Sequence, residues 1–185
     1  IPSGLLPPTR GSLLEKGQPA HFKTPLDALK NGIGMVHQHF ALVYPFTALE
    51  NIALGQEAGK GLGGIGLDAI ETRLKQVMAE GGLHAPLDIP VELLPVGVQQ
   101  RIEILKLLYR DVELLILDEP TAVLTPQEAD EMFETLRALK AQGKTIIFIT
   151  HKLREVQALT DQVTVIRRGQ HAGTVQTEDV DAKKL

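Results

Sequence analysis

The sequence predicts an α/β fold, a parallel sheet with a mostly helical insertion between about residues 47 and 109. Three observations predict it. Two short apolar runs, Leu114-Leu115-Ile116-Leu117 and Thr145-Ile146-Ile147-Phe148-Ile149, have the composition of parallel strands buried on both faces. Segments with helical spacing and strong start signals lie between such runs, so strands alternate with helices. Both runs end in residues with chemistry: Asp118 and Glu119 after the first, Thr150 and His151 after the second. Open α/β sheets bind ligands at the carboxyl ends of their strands. Two neighbouring strands would bring Asp118, Glu119 and His151 to one rim. That set resembles a phosphate-hydrolysing site, with one acid for Mg²⁺, one to orient water and a histidine to sense a γ-phosphate.

Along the chain, the Pro- and Gly-rich residues 1–10 read as the tail of something upstream. Gly11 to Lys16 reads as a short strand with Gly17 as a turn. Thr24-Pro25-Leu26-Asp27 starts a short helix, with Thr24 as N-cap and Pro25 in its first turn, and Gly32 ends it. Ile33-Gly34-Met35-Val36 is a short strand, and His37-Gln38-His39-Phe40 its polar exit. Thr47-Ala48-Leu49-Glu50 has the capping-box pattern, which predicts a helix to about Leu54.

Six glycines between positions 55 and 66 predict a flexible loop. Asp68 and Glu71 open a helix with Ile70, Leu74, Val77 and Met78 on one face, and Gly81-Gly82 stops it. His84 to Pro95, with three prolines, is extended or turned. A helix from about Val98 to Tyr109 carries Ile102, Leu105 and Leu108. Thr125-Pro126-Gln127-Glu128 is a second capping box, its helix buries Ala129, Met132, Phe133, Leu136 and Leu139, and Gly143 caps it. A short helix after His151 packs Leu153, Val156 and Leu159. Val163 to Ile166 is a strand, Arg167 to Gln170 a turn and Ala172 to Val175 a hairpin partner, before a polar tail from Gln176 to Leu185.

Composition narrows the function classes. A length of 185 residues suits one domain with a small subdomain. The formal net charge of −4 argues against a nucleic-acid partner held by phosphate neutralisation. No apolar run approaches the ~20 residues of a membrane span. Zero cysteines exclude disulfides and zinc-thiolate sites and fit a cytosolic protein. The start Ile1-Pro2-Ser3-Gly4 has neither a signal peptide's features nor an initiating Met, which suggests a fragment.

Gly59-Lys60-Gly61-Leu62-Gly63-Gly64 matches G-x-G-x-x-G by letter, but it follows a helix instead of a strand. It also lacks P-loop spacing, so it reads as a flexible loop, and no P-loop is present in these residues. By contrast, Leu94-Pro95-Val96-Gly97-Val98-Gln99-Gln100-Arg101 places a glycine directly before an amphipathic helix. Backbone N–H groups there can approach an anion at the positive end of the helix dipole. An ordinary proline-started helix explains the same residues when they are taken alone.

Taken together, these stretches resemble the nucleotide-binding domain of ATP-binding cassette (ABC) transporters along nearly the whole chain. Val36 to Phe40 is similar to the Q-loop, Leu94 to Arg101 to the signature, and Leu114 to Pro120 to Walker B with its catalytic glutamate. Thr121 to Thr125 falls at the D-loop, and Thr150-His151 at the switch histidine. The wording around them (Glu50-Asn51-Ile52, Thr121 to Glu128, Phe148 to Glu155) is most similar to the first cassette of fused sugar or nucleoside importer ATPases.

The resemblance implies a P-loop NTPase-like sheet, incomplete at its N-terminus because no Walker A motif precedes it, with residues 1–185 as a partial nucleotide-binding domain. It implies ATP and Mg²⁺ as cofactors. Asp118 and Gln38 would serve the metal, and Glu119, His151 and Gln38 the chemistry. Pro95, Val96, Gly97 and Gln99 would reach a nucleotide shared with a second cassette. Membrane permease subunits would be gripped by the helical insertion and the loop after Gln38, at the cytoplasmic face of the membrane, with a substrate-binding protein involved indirectly. Pro95 departs from the family's usual Ser, and Thr125 from its usual Asp. Two alternatives stay open: a non-catalytic regulatory cassette, and a soluble ABC ATPase of repair or translation.

Overall fold

The computed structural model describes residues 2–54 and 66–179, so most of the expected glycine-rich loop and the end of the polar tail lie outside the described residues. A hairpin comes first, β1 (Leu13–Glu15) and β2 (Gln18–Ala20), closed by Lys16 at φ 49 and Gly17 at φ 78. Two consecutive positive φ values make the turn whose twist matches a tight hairpin. β2 was not legible from its residues, because Gln18-Pro19-Ala20 has no strand propensity and only the turn brings it beside β1.

The two expected capping boxes formed, and the expected N-cap Thr24 makes a third. Thr24 caps α1 (Pro25–Lys30), Thr47 caps α2 (Ala48–Ala53) and Thr125 caps α5 (Pro126–Ala141), each with the reciprocal acid at the third helical position. Between them lie β3 (Ile33–Val36), α3 (Leu67–Gly81), α4 (Val96–Tyr109) and β4 (Leu114–Asp118). After α5 come β5 (Thr145–Ile149), α6 (Leu153–Leu159) and an antiparallel hairpin of β6 (Gln162–Arg167) and β7 (Gln170–Gln176). α4 begins two residues before the expected Val98. Pro95 is its N-cap, and the Pro95 carbonyl accepts from the amides of Val98 (2.9 Å) and Gln99 (3.1 Å).

The site-bearing sheet has the order β3-β4-β5, all parallel, with Val36 opposite Leu117 and Leu117 opposite Phe148. One face carries Val36, Leu115 and Leu117 into a core shared with Ile52, Leu74, Ile104, Leu105 and Leu136. The sheet and the helices α2 to α5 therefore bury one continuous apolar cluster. On the other face α1 covers β3 and β4, where Ala28 meets Ile33 and Ile116.

Contrary to the expectation from its composition, β5 is buried on one face only. Ile146 and Phe148 pack on the core, but Ile147 and Ile149 remain 41% and 44% exposed. The physical reason is coverage: α1 sits over β3 and β4, and β5 has no partner on its far edge among the described residues. A parallel strand is normally covered on both faces.

Candidate functional site

β4 delivers Asp118 and Glu119 to the carboxyl rim of the sheet. Its core residues Leu115 and Leu117 are fully buried and fix the strand's register against β3 and β5. Asp118, the last strand residue, is half-buried opposite Ile149. Glu119 then turns into the left-handed region at φ 45, which is rare for a residue with a side chain. Two contacts hold it there: its N–H donates to the Ile149 carbonyl (2.9 Å), and its own carbonyl accepts from Ala122 N–H (3.1 Å).

That turn presents the Glu119 carboxylate to the end of β5, where Oε1 lies 2.9 Å from His151 Nδ1. The pair is open to solvent, with the histidine side chain 72% exposed and the glutamate 30%. With Nδ1 as donor to the carboxylate, Nε2 stays available as an acceptor, or as a donor once the ring is protonated. An exposed pair of this kind contributes little to stability, so its significance is chemical. Gln38 leaves the same rim. It stands two residues beyond Val36, which pairs with Leu117, and it is exposed.

The structure therefore brings Asp118, Glu119 and His151 together and sets Gln38 on the adjoining strand end. The other candidates sit apart from them, at the N-terminus of α4. There Pro95 supplies no side-chain cap and is exposed, as is Val96. Gly97 is buried against α5, where a Cβ would come within 2.7 Å of Glu128 Oε1. Glu128 Oε2 accepts from Thr125 N–H (2.9 Å) and the Thr125 hydroxyl (2.8 Å). Those two Thr125 contacts lower the Glu128 carboxyl pKa most, aided by the Gly97 N–H and the charge of Arg101. The Gln99 side chain is turned inward, and its amide donates to the carbonyls of Val91 (3.2 Å) and Leu94 (2.9 Å).

Asn51 enters the sequence reading only within Glu50-Asn51-Ile52 and with no role of its own, yet it organises the loop that follows Gln38. It is 2% exposed. Its Oδ1 accepts from Val43 N–H (2.7 Å), and its Nδ2 donates to the carbonyls of Val43 (3.0 Å), Thr47 (3.0 Å) and Phe46 (3.3 Å). Backbone bonds from Val91 N–H to the Phe46 carbonyl and from Glu92 N–H to the Tyr44 carbonyl lay residues 89–93 beside this loop. The paired segments expose Tyr44, Phe46, Ile89 and Leu93, the last at 71%. Exposed apolar groups gathered like this mark interaction surfaces.

Replacing Asn51 with Ala leaves the Val43 N–H without its partner and removes the side-chain bonds to the Val43, Phe46 and Thr47 carbonyls, each of which keeps one backbone donor. The expected loss is about 1–3 kcal/mol of stability. It is read as a lowered urea midpoint at unchanged slope. An unchanged midpoint contradicts the role given to Asn51.

The family model described as ABC transporter matches residues 1–122, well over half of the chain. The chain belongs to the ABC transporter family. It is 45% identical over 185 residues to the nucleoside import ATP-binding protein NupA of Lactococcus lactis subsp. cremoris, covering all of this chain and 36% of that protein. It is 44% identical over 209 residues to the glucose import ATP-binding protein TsgD13 of Haloferax volcanii, covering 98% of this chain and 38% of that one. Among solved structures, cbiO1 of Clostridium perfringens, part of the ABC transporter complex cbiONQ, superposes with a TM-score of 0.81 at 28% identity, covering 98% of this chain and 72% of cbiO1. The ABC chain described here thus spans little more than a third of the length of those two curated relatives.

Proposed function

We propose that the full-length protein is the ATP-hydrolysing subunit of an ABC importer for sugars or nucleosides. It works at the cytoplasmic face of the membrane with permease subunits, a second cassette and, indirectly, a substrate-binding protein. The observation that carries this reading is the 2.9 Å contact between Glu119 and His151 beside Asp118 at one strand rim. The import functions in the names of NupA and TsgD13 support the substrate class.

Asp118 and the amide oxygen of Gln38 are hard oxygen donors of the kind Mg²⁺ takes. That ion commonly uses one or two carboxylates and fills its remaining positions with water and phosphate oxygens. When bound, the ion neutralises charge on the phosphates. Glu119 accepts a hydrogen bond from the attacking water and orients it. His151, steered by Glu119, donates from Nε2 to a γ-phosphate oxygen when its ring carries both protons. Gln38 reports the presence of that phosphate to the loop after β3, and the exposed Tyr44, Phe46, Ile89 and Leu93 receive the permease.

One observation favours a second reading, a regulatory cassette that holds nucleotide without turning it over. Pro95 has no donor to offer at the end of α4. Reconstitution of the full-length protein with its permease in vesicles separates the readings. ATP-dependent uptake of labelled ribose or a labelled nucleoside that is lost in Glu119→Gln supports the importer. Uptake that survives this substitution supports the regulatory cassette, and failure to co-purify with any permease contradicts both.

The 185-residue chain by itself contains no G-x-x-x-x-G-K-[ST] stretch, whose backbone cradle and lysine supply most phosphate contacts. Calorimetry of this chain with Mg-ATP should show no saturable binding below millimolar concentration. A micromolar dissociation constant contradicts the assignment of phosphate binding to that motif.

A further inference from the structure

We infer that Glu155 is the positioning residue of the Glu119–His151 pair, a buried carboxylate that ties the turn after Glu119 to the residues on both sides of His151. The inference rests on the hydrolytic role proposed for that pair. Glu155 lies in the first turn of α6, where an acid needs only the helix dipole and ordinarily sits in solvent. Here it is 5% exposed. A buried carboxylate is costly unless it is hydrogen-bonded, so the partners it has gathered are informative.

Those partners come from both catalytic segments. Glu155 Oε1 accepts from the Thr121 hydroxyl at 2.5 Å, and Oε2 accepts from the Thr150 hydroxyl at 2.6 Å. Lys152 Nζ lies 3.1 Å from Oε1, and it also donates to the Thr121 carbonyl and hydroxyl, both at 3.2 Å. The Thr150 hydroxyl accepts in turn from Lys152 N–H at 3.1 Å. Burial pushes the Glu155 carboxyl pKa up, but the hydrogen bonds from Thr121, Thr150 and Lys152 outweigh it and the net shift is downward. The group is therefore an acceptor at neutral pH.

The connectivity gives the network its meaning. Thr121 follows Glu119 by two residues, inside the turn closed by Ala122 N–H and the Glu119 carbonyl. His151 stands between Thr150 and Lys152, and Glu155 binds both. One carboxylate thus fixes the spacing between the loop of the candidate base and the loop of the candidate histidine. A misplacement of about 1 Å in such a constellation can cost about a hundredfold in rate.

The test uses the full-length protein, with single-turnover and steady-state ATP hydrolysis of Glu155→Gln, alone and combined with His151→Ala. Glu155→Gln should lower kcat about ten- to a hundredfold with KM for ATP within about twofold. In the His151→Ala background the same change should cost no more than about twofold, because residues acting as a unit are not additive. A wild-type kcat for Glu155→Gln overturns the inference, as does a cost that multiplies in full on top of His151→Ala. If Glu155→Gln does not fold, Thr150→Val removes one link at a half-buried position. It should show a severalfold fall with the same non-additivity, and full additivity overturns the inference equally. Full turnover in both Glu119→Gln and His151→Ala instead sinks the hydrolytic reading of the site, and the positioning role with it.

Discussion

Replacing Glu119 with Gln in the full-length protein lowers ATP turnover at this cassette by about 10²–10⁴-fold and leaves ATP affinity within about twofold. The size follows from what is removed. Glutamine keeps the shape of the side chain and an oxygen that can still meet His151 Nδ1 at 2.9 Å. It lacks the negative charge that orients the attacking water and draws off its proton. Folding should be nearly untouched, because the pair is exposed and exposed ion pairs contribute little. The backbone strain at Glu119, φ 45, stays the same in both variants. Steady-state hydrolysis and nucleotide binding, measured on the same preparation with the second cassette's catalytic glutamate disabled, check this. A fall of less than about tenfold means that this half is not catalytic, and the regulatory reading then holds.

Replacing Pro95 with Ser should raise turnover at the partner cassette's nucleotide about ten- to a hundredfold, without tighter nucleotide binding in the open form. In this chain Pro95 caps α4 through its carbonyl alone, and neither its side chain nor its nitrogen can donate. A serine hydroxyl there could donate to a phosphate carried by the facing cassette. Hydrogen bonds to charged groups contribute about 1.5–3 kcal/mol. Each ~1.36 kcal/mol is one decade of rate. Serine is also a favoured N-cap, so the helix start should not suffer. The Gly97 amide faces the Glu128 carboxylate in this conformation, so any gain should appear only when the two cassettes close. Turnover of each cassette, measured with the other silenced, decides it. An unchanged rate at the partner site shows that the missing hydroxyl has no consequence here.

Much of this arrangement could be read from local chemistry. The capping boxes at Thr47 and Thr125 and the N-cap at Thr24 were legible because each threonine meets an acid three residues later, a contact made within one turn. β4 was legible because four aliphatic residues end abruptly in two acids, and parallel pairing with β5 carries Glu119 and His151 to one rim. What stayed hidden depends on distant partners. Ile147 and Ile149 look as buried as their neighbours in the sequence, but their exposure is set by what covers that face. Asn51 and Glu155 are ordinary helix residues by their spacing. Their roles appear only when the loop at positions 43–47 closes around Asn51, and when Thr121 and Thr150, from two separate segments, close around Glu155. The family resemblance makes Gln99 a ligand candidate, and the fold turns its amide onto Val91 and Leu94.

In the proposed mechanism Asp118, Glu119, His151 and Gln38 converge on a single γ-phosphate. A crystal structure of the full-length Glu119→Gln protein with Mg-ATP tests this most directly. The predicted result has Asp118 and Gln38 beside the metal. The residue at 119 lies within hydrogen-bond reach of a water in line with the γ-phosphate, and His151 Nε2 lies on a γ-phosphate oxygen. A nucleotide bound away from the carboxyl rim of β4 and β5, or His151 turned away from the phosphate in the closed form, would contradict it.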